Sequence, residues 1–156
     1  MLRSVAGTQD VLRWKWRGAP VSVMDFGDPA GTDDYVLCVY ENAGAGNDLV
    51  FERDVSAGAT CDGSPFWSAA ARGYVYEDSH VATSPIDRVR LLVDGGGRGK
   101  ISVSGRRFAL APPRLPFATN GPLTVQLGNV ATGTCWESRY STALTNTSTR
   151  FNARSR

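Results

Sequence analysis

The run Val11-Leu12-Arg13-Trp14-Lys15-Trp16-Arg17 constrains the fold more than any other part of the chain. Apolar and basic residues alternate through it. An extended backbone sends Leu12, Trp14 and Trp16 to one face and Arg13, Lys15 and Arg17 to the other. A helix would scatter both sets around its circumference, so the segment reads as a strand with one buried face.

The same period of two recurs along the sequence. Ile86 to Val93 turns Val89, Leu91 and Val93 inward and Arg88 and Arg90 outward. Lys100 to Ser104 turns Ile101 and Val103 inward, and Leu123 to Leu127 alternates as cleanly. Tyr35 to Tyr40 is apolar on both faces, which suits a central strand, with Asp48 to Val55 as its partner across the small-residue connection Asn42 to Asn47. Val21 to Phe26, Trp67 to Tyr76 and Thr134 to Tyr140 read as further strands. The 17 glycines and 8 prolines fall between these runs as turn punctuation. No segment keeps a helical period.

Eight to nine short strands predict an all-β fold, an antiparallel β-sandwich of the jelly-roll kind. A chain of 156 residues fits one domain with a real core. Residues 1–10 read as an N-terminal extension, 11–140 as the β-sandwich domain, and 141–156, rich in Ser, Thr, Asn and Arg, as a flexible tail.

The formal net charge is only +2, and both signs are mixed along the sequence. Arg13, Lys15 and Arg17, then Arg88 and Arg90, then Arg106-Arg107 read as separate solvated faces and turns, so no nucleic-acid partner is expected. No apolar stretch is long enough to span a membrane, so no membrane insertion is expected either. Met1 to Gly7 has no apolar signal-peptide region.

Three cysteines, Cys38, Cys61 and Cys135, show no Cys-x-x-Cys pair, and the lone His80 completes no zinc set with them. A Cys38–Cys61 disulfide would close a loop of about two dozen residues and contribute roughly 3 kcal/mol on chain-entropy grounds. The alternative is that all three are small buried hydrophobes with free thiols.

Candidate chemistry is sparse. Asp94-Gly95-Gly96-Gly97-Arg98-Gly99-Lys100-Ile101 fails as a phosphate-binding loop, because its glycine spacing is short and Ile101 replaces Ser or Thr; it reads as a hairpin turn. In Asp25-Phe26-Gly27-Asp28-Pro29-Ala30-Gly31-Thr32-Asp33-Asp34 the carboxylates of Asp25, Asp28, Asp33 and Asp34 could wrap calcium, the one cofactor the composition suggests; Asp at turns also caps backbone. A catalytic triad would have to use His80, and no nucleophile motif accompanies any serine, so no catalytic residue is assigned. Glu52, Glu77 and Glu137 are the acids a small hydrolase would draw on. Trp67, Trp136, Tyr74 and Tyr76 are candidate ligand-binding residues, since an aromatic face complements the apolar face of a sugar. Trp14 and Trp16 read as core.

The ordered series Trp14-Lys15-Trp16, Asp25-Phe26-Gly27-Asp28-Pro29, Leu37-Cys38-Val39-Tyr40, Cys61 with Pro65-Phe66-Trp67, Val125-Gln126-Leu127 and Cys135-Trp136-Glu137 resembles an uncharacterised β-domain of secreted proteins from environmental bacteria. That domain often ends larger chains. The resemblance spans roughly residues 11–140 and implies a secreted location but no activity. Its pattern has a cysteine before the tryptophan matching Trp67, where this chain has Phe66; the resemblance therefore implies that Cys135 is the unpaired thiol.

These readings converge on a non-catalytic, extracytoplasmic binding or interaction module whose partner is carbohydrate, another surface polymer or a surface protein. The alternatives are a structural accessory domain of a larger secreted protein and a small acid-dependent hydrolase.

Overall fold

A computed structural model of the chain describes residues 1–4, 10–42, 46–78, 84–106, 110–118 and 122–154. His80, Arg107 and the centre of the connection at 43–45 lie outside the described residues. The fold is all-β, and every strand pairing is antiparallel.

Fourteen strands lie among the described residues. They are β1 (Leu2–Arg3), β2 (Val11–Pro20), β3 (Tyr35–Glu41), β4 (Asp48–Val55), β5 (Thr60–Cys61), β6 (Ser64–Pro65) and β7 (Trp67–Ala70). Then follow β8 (Gly73–Glu77), β9 (Ile86–Val93), β10 (Arg98–Arg106), β11 (Leu123–Asn129), β12 (Cys135–Tyr140), β13 (Ala143–Thr147) and β14 (Arg150–Ala153). They form an eight-stranded sheet in the order β13-β14-β1-β2-β10-β9-β8-β7, a four-stranded sheet in the order β12-β11-β3-β4, and the small ribbon β5-β6.

The alternating pattern places the core where the sequence predicts. Leu12, Trp14, Val89, Leu91, Ile101 and Val103 of the large sheet are buried in one cluster with Leu37, Val39, Val125, Leu127 and Trp136 of the small one. Aromatic rings tie the sheets together: Tyr35 on β3 lies 5.8 Å from Trp67 on β7 of the large sheet, and 6.3 Å from Trp136 on β12 within its own sheet. Each large apolar side chain removed from water here contributes about 2 kcal/mol.

Four sequence expectations need correction. Val21 to Phe26 is not a strand: Val23–Phe26 form one turn of 3-10 helix, because Asp25 accepts a hydrogen bond from the Ser22 backbone N–H at 2.7 Å and curls the segment. Trp67 to Tyr76 is a hairpin, β7 and β8, with its turn at Ala71-Arg72. The tail is not flexible over 143–153, where β13 and β14 form a hairpin. Phe151 packs edge-on against Phe117 at 5.0 Å, and Asn146 bonds both the N–H and the C=O of Phe117. The extension holds β1, which lies between β2 and β14 and joins that hairpin to the sheet.

The cysteines are the fourth. All three are free, and no Cys38–Cys61 disulfide forms. Cys38 points outward from the middle of β3 with its Sγ 3.9 Å from Glu52, whereas Cys61 sits on the separate β5-β6 ribbon beside Asp62.

Candidate functional site

The sequence-predicted residues do not assemble into a site. Trp67, Tyr76 and Trp136 are buried core, and Tyr74 is half-buried against it. Trp67 donates its indole N–H to the Ser56 carbonyl at 3.1 Å and meets Tyr76 edge-on at 5.2 Å. Trp67, Tyr76 and Trp136 fill the interior, and of the four only Tyr74 keeps part of its surface exposed.

The four aspartates serve as hydrogen-bond acceptors, Asp25 and Asp28 locally and Asp33 and Asp34 also across the fold. Asp25 caps Ser22, Asp28 accepts from the Gly31 N–H at 3.1 Å, and Asp34 accepts from the Ala57 N–H at 2.7 Å. Asp33 is buried and accepts from the Asn129 side-chain amide at 3.0 Å, the Asp28 N–H at 3.1 Å and the Thr32 hydroxyl at 2.8 Å. Asn129 completes the node, since its Oδ1 accepts from the N–H groups of Ala131 and Thr132, both at 3.0 Å. Tyr35 donates to the Phe26 carbonyl beside it, and burial pushes its hydroxyl pKa up. The Asn129 bond is the largest cause holding the Asp33 carboxyl below its ordinary range. No group of three or more His, Cys, Asp or Glu side chains placed to hold a metal occurs among the described residues.

Two of the three acids available to a hydrolase share a row on the exposed face of the small sheet, which reads Glu52–Cys38–Gln126–Glu137 across four strands. Three strand spacings put the backbones of Glu52 and Glu137 about 14 Å apart. Hydrogen bonds from Gln126 at 2.7 Å and Arg139 at 2.7 Å hold Glu137 below the usual carboxylate range, the reverse of what a general acid needs. Glu77, the third, pairs with Arg88 at 3.0 Å.

What the fold does assemble is a basic trough on the exposed face of the large sheet. Register places Arg13 beside Ser104 and Ser104 beside Arg88; one step along, Lys15 lies beside Ser102 and Ser102 beside Arg90; next, Arg17 lies beside Lys100. Long cations therefore line two banks, on β2 and β9, with the short serines of β10 as the floor. The banks are two strand spacings apart, about 10 Å, and cations repeat about every 6.7 Å along each strand. Arg13, Lys15, Arg17, Arg88, Arg90 and Lys100 are all exposed.

Few acids answer them. Glu77 pairs with Arg88, and Asp94 lies 3.5 Å from Lys100. Asp87 binds the floor and rim, accepting from Ser104 at 2.9 Å and Arg106 at 2.5 Å. Arg13, Lys15, Arg17 and Arg90 have no ion pair among the described residues. Beyond Arg17 and Lys100 the trough opens into a concavity of about 410 Å³ that also touches Arg98 and Asp94. The exposed face of the small sheet carries the opposite sign, with Glu52, Asp54 and Glu137 against Arg139.

The alternation gave each half of this site, since it sends the cations of β2 and β9 outward. Alternation does not encode pairing: β2 and β9 start at Val11 and Ile86, far apart in the chain, and β10 between them brings them onto one face.

No protein-family model, no curated protein and no solved structure matches the chain.

Proposed function

We propose that this chain is a non-catalytic binding module that holds an anionic surface polymer, a chain bearing repeated carboxylate, sulfate or phosphate groups, in the trough on its large sheet. The observation that carries the reading is the pair of cationic banks over a serine floor. The banks offer repeated charge along a line, which suits a polymer better than a single small anion, and serine hydroxyls supply hydrogen bonds to an acidic carbohydrate.

A nucleic acid is the less fitting polyanion. The outward-facing positions in these rows are Arg, Lys, Ser, Glu, Val75, Leu92 and Gly73, with no aromatic ring for base stacking. A broad sheet face also cannot enter the major groove as a helix or two-stranded ribbon does. An uncharged carbohydrate is the less favoured ligand, because Trp67, Tyr76 and Trp136 are buried and only Tyr74 is partly exposed.

Two further readings belong to the same proposal. The finer architecture is a sandwich of jelly-roll kind, with the sheets face to face over the shared core and the basic and acidic faces on opposite sides. The setting is extracytoplasmic, where such polymers coat cells, in keeping with the sequence resemblance.

Affinity electrophoresis through gels containing dextran sulfate, polygalacturonate, neutral dextran or duplex DNA tests the function. The expected result is retardation by one or both anionic polysaccharides and none by neutral dextran. Equal migration in all gels, or tighter binding to DNA, would overturn it.

A further inference from the structure

The trough occupies one outward face of the fold, and the other outward face is acidic. Residues of both sheets are buried in one shared cluster, so the exposed faces of the two sheets point away from each other. Six Lys and Arg residues gather on the large sheet of a chain whose net charge is only +2, so the rest of the molecule carries a net negative charge. Part of that charge sits on the small sheet. Glu52 and Asp54 project outward from β4 two residues apart, and Glu137 projects from β12 at the far end of the Glu52 row. Glu52 and Asp54 are exposed and have no ion pair among the described residues. Arg139 is the one cation among the outward residues of these rows, and Glu137 already holds it at 2.7 Å.

The two faces are complementary in spacing as well as in sign. Glu52 and Asp54 stand about 6.7 Å apart, the interval at which cations repeat along each bank of the trough. Glu52 and Glu137 stand about 14 Å apart across the sheet and the banks about 10 Å, a difference that long Lys and Arg side chains can span. Between the acids lie Val36, Cys38, Gly128 and Gln126, all buried or half-buried. The trough floor opposite them is serine, so little projects from either surface to hold the faces apart.

We infer that the acidic face of one copy of this chain docks in the trough of another. The contact joins two different surfaces, so the copies at its two ends each keep one surface free and the association continues as an open stack. The outward face of the small sheet measures about four strand spacings by six residues, roughly 400 Å² a side, against about 800 Å² a side in a standard stable interface. The contact is therefore weak, held mostly by charge, and sensitive to salt. It also covers the trough, so a polyanion and a second copy compete for the same cations. This inference rests on the trough as a binding surface, and not on a polymer being its ligand.

Sedimentation velocity over a protein concentration series, in low and in high salt, tests it. The expected result is an average sedimentation coefficient that rises with concentration in low salt and stays constant in high salt. Two double variants separate the faces: Glu52→Gln with Asp54→Asn removes charge from the acidic face, and Lys15→Gln with Arg90→Gln removes it from the trough. Each variant alone should associate about tenfold more weakly than the natural protein, with its melting temperature unchanged. Mixed in equal amounts they should regain association as far as a pair and no further, since the first keeps an intact trough and the second an intact acidic face. A natural protein that stays monomeric throughout the low-salt series would overturn the inference. So would variants that associate as the natural protein does, or a mixture no more associated than its components. Retardation by dextran sulfate in a protein that never associates would sink this inference alone and leave the polymer site standing.

Discussion

At the scale of single residues, the polar interior is largely satisfied, and the exceptions are informative. Asp33 is held below its ordinary range, so its folded form favours the charged state. Its contribution is complete above the ordinary aspartate value of about 3.9 and is lost as pH falls through the lower folded value. Melting temperature should therefore fall more steeply with acid in the natural protein than in Asp33→Asn; parallel curves would contradict the node. Thr124 is the converse case, since its Oγ1 is buried with no hydrogen-bond partner among the described residues. Thr124→Val should leave stability unchanged or raise it by up to about 1 kcal/mol in urea unfolding, because no bond is lost and a buried hydroxyl is removed. Burial is the largest cause raising the Cys38 thiol pKa, with the Glu52 charge adding to it. A thiol titration without reductant should count three free thiols, with Cys38 the slowest to react. A count of one would restore the disulfide.

Elements show which signals a sequence carries and which it lacks. The alternating runs of β2, β9, β10 and β11 were legible because one buried face imposes a period of two that no other element shares. The hairpin β7–β8 was not, because its turn, Ala71-Arg72, contains neither glycine nor asparagine. Its requirement sits one residue later, at Gly73, whose φ is +141°. A Cβ there would lie 1.9 Å from the Leu91 carbonyl oxygen on β9. Gly73→Ala should cost about 3 kcal/mol or more by chemical denaturation, since both the dihedral and the contact oppose it. A loss under about 1 kcal/mol would mean that β8 can withdraw from β9. The β13–β14 hairpin was missed for a different reason. Its Ser, Thr and Asn content reads as disorder, yet a single apolar anchor, Phe151, and the amide of Asn146 dock it onto Phe117.

On the scale of the whole molecule, net charge conceals how charge is distributed. A net charge of +2 is near neutrality, and in the sequence each basic run reads as a solvated strand face or turn. Every run does lie on such a face, but strand order brings them onto the same one. Arg13, Lys15 and Arg17 meet Arg88 and Arg90 across β10, while Glu52, Asp54 and Glu137 collect on the small sheet. Alternation predicts which way a side chain points, and it carries no information about which strands become neighbours. The candidate site was therefore legible residue by residue and hidden as a surface.

The central claim is that opposed cationic banks form one polymer site, and the salt dependence of binding tests it most directly. Affinity for dextran sulfate should be measured across a salt series for the natural protein and for the double variant Lys15→Gln, Arg90→Gln, which removes one unpaired cation from each bank. The slope of log affinity against log salt should fall by about one per lost cation, and affinity at low salt by about tenfold, with the melting temperature unchanged. An unchanged slope and affinity in a folded variant would contradict the claim.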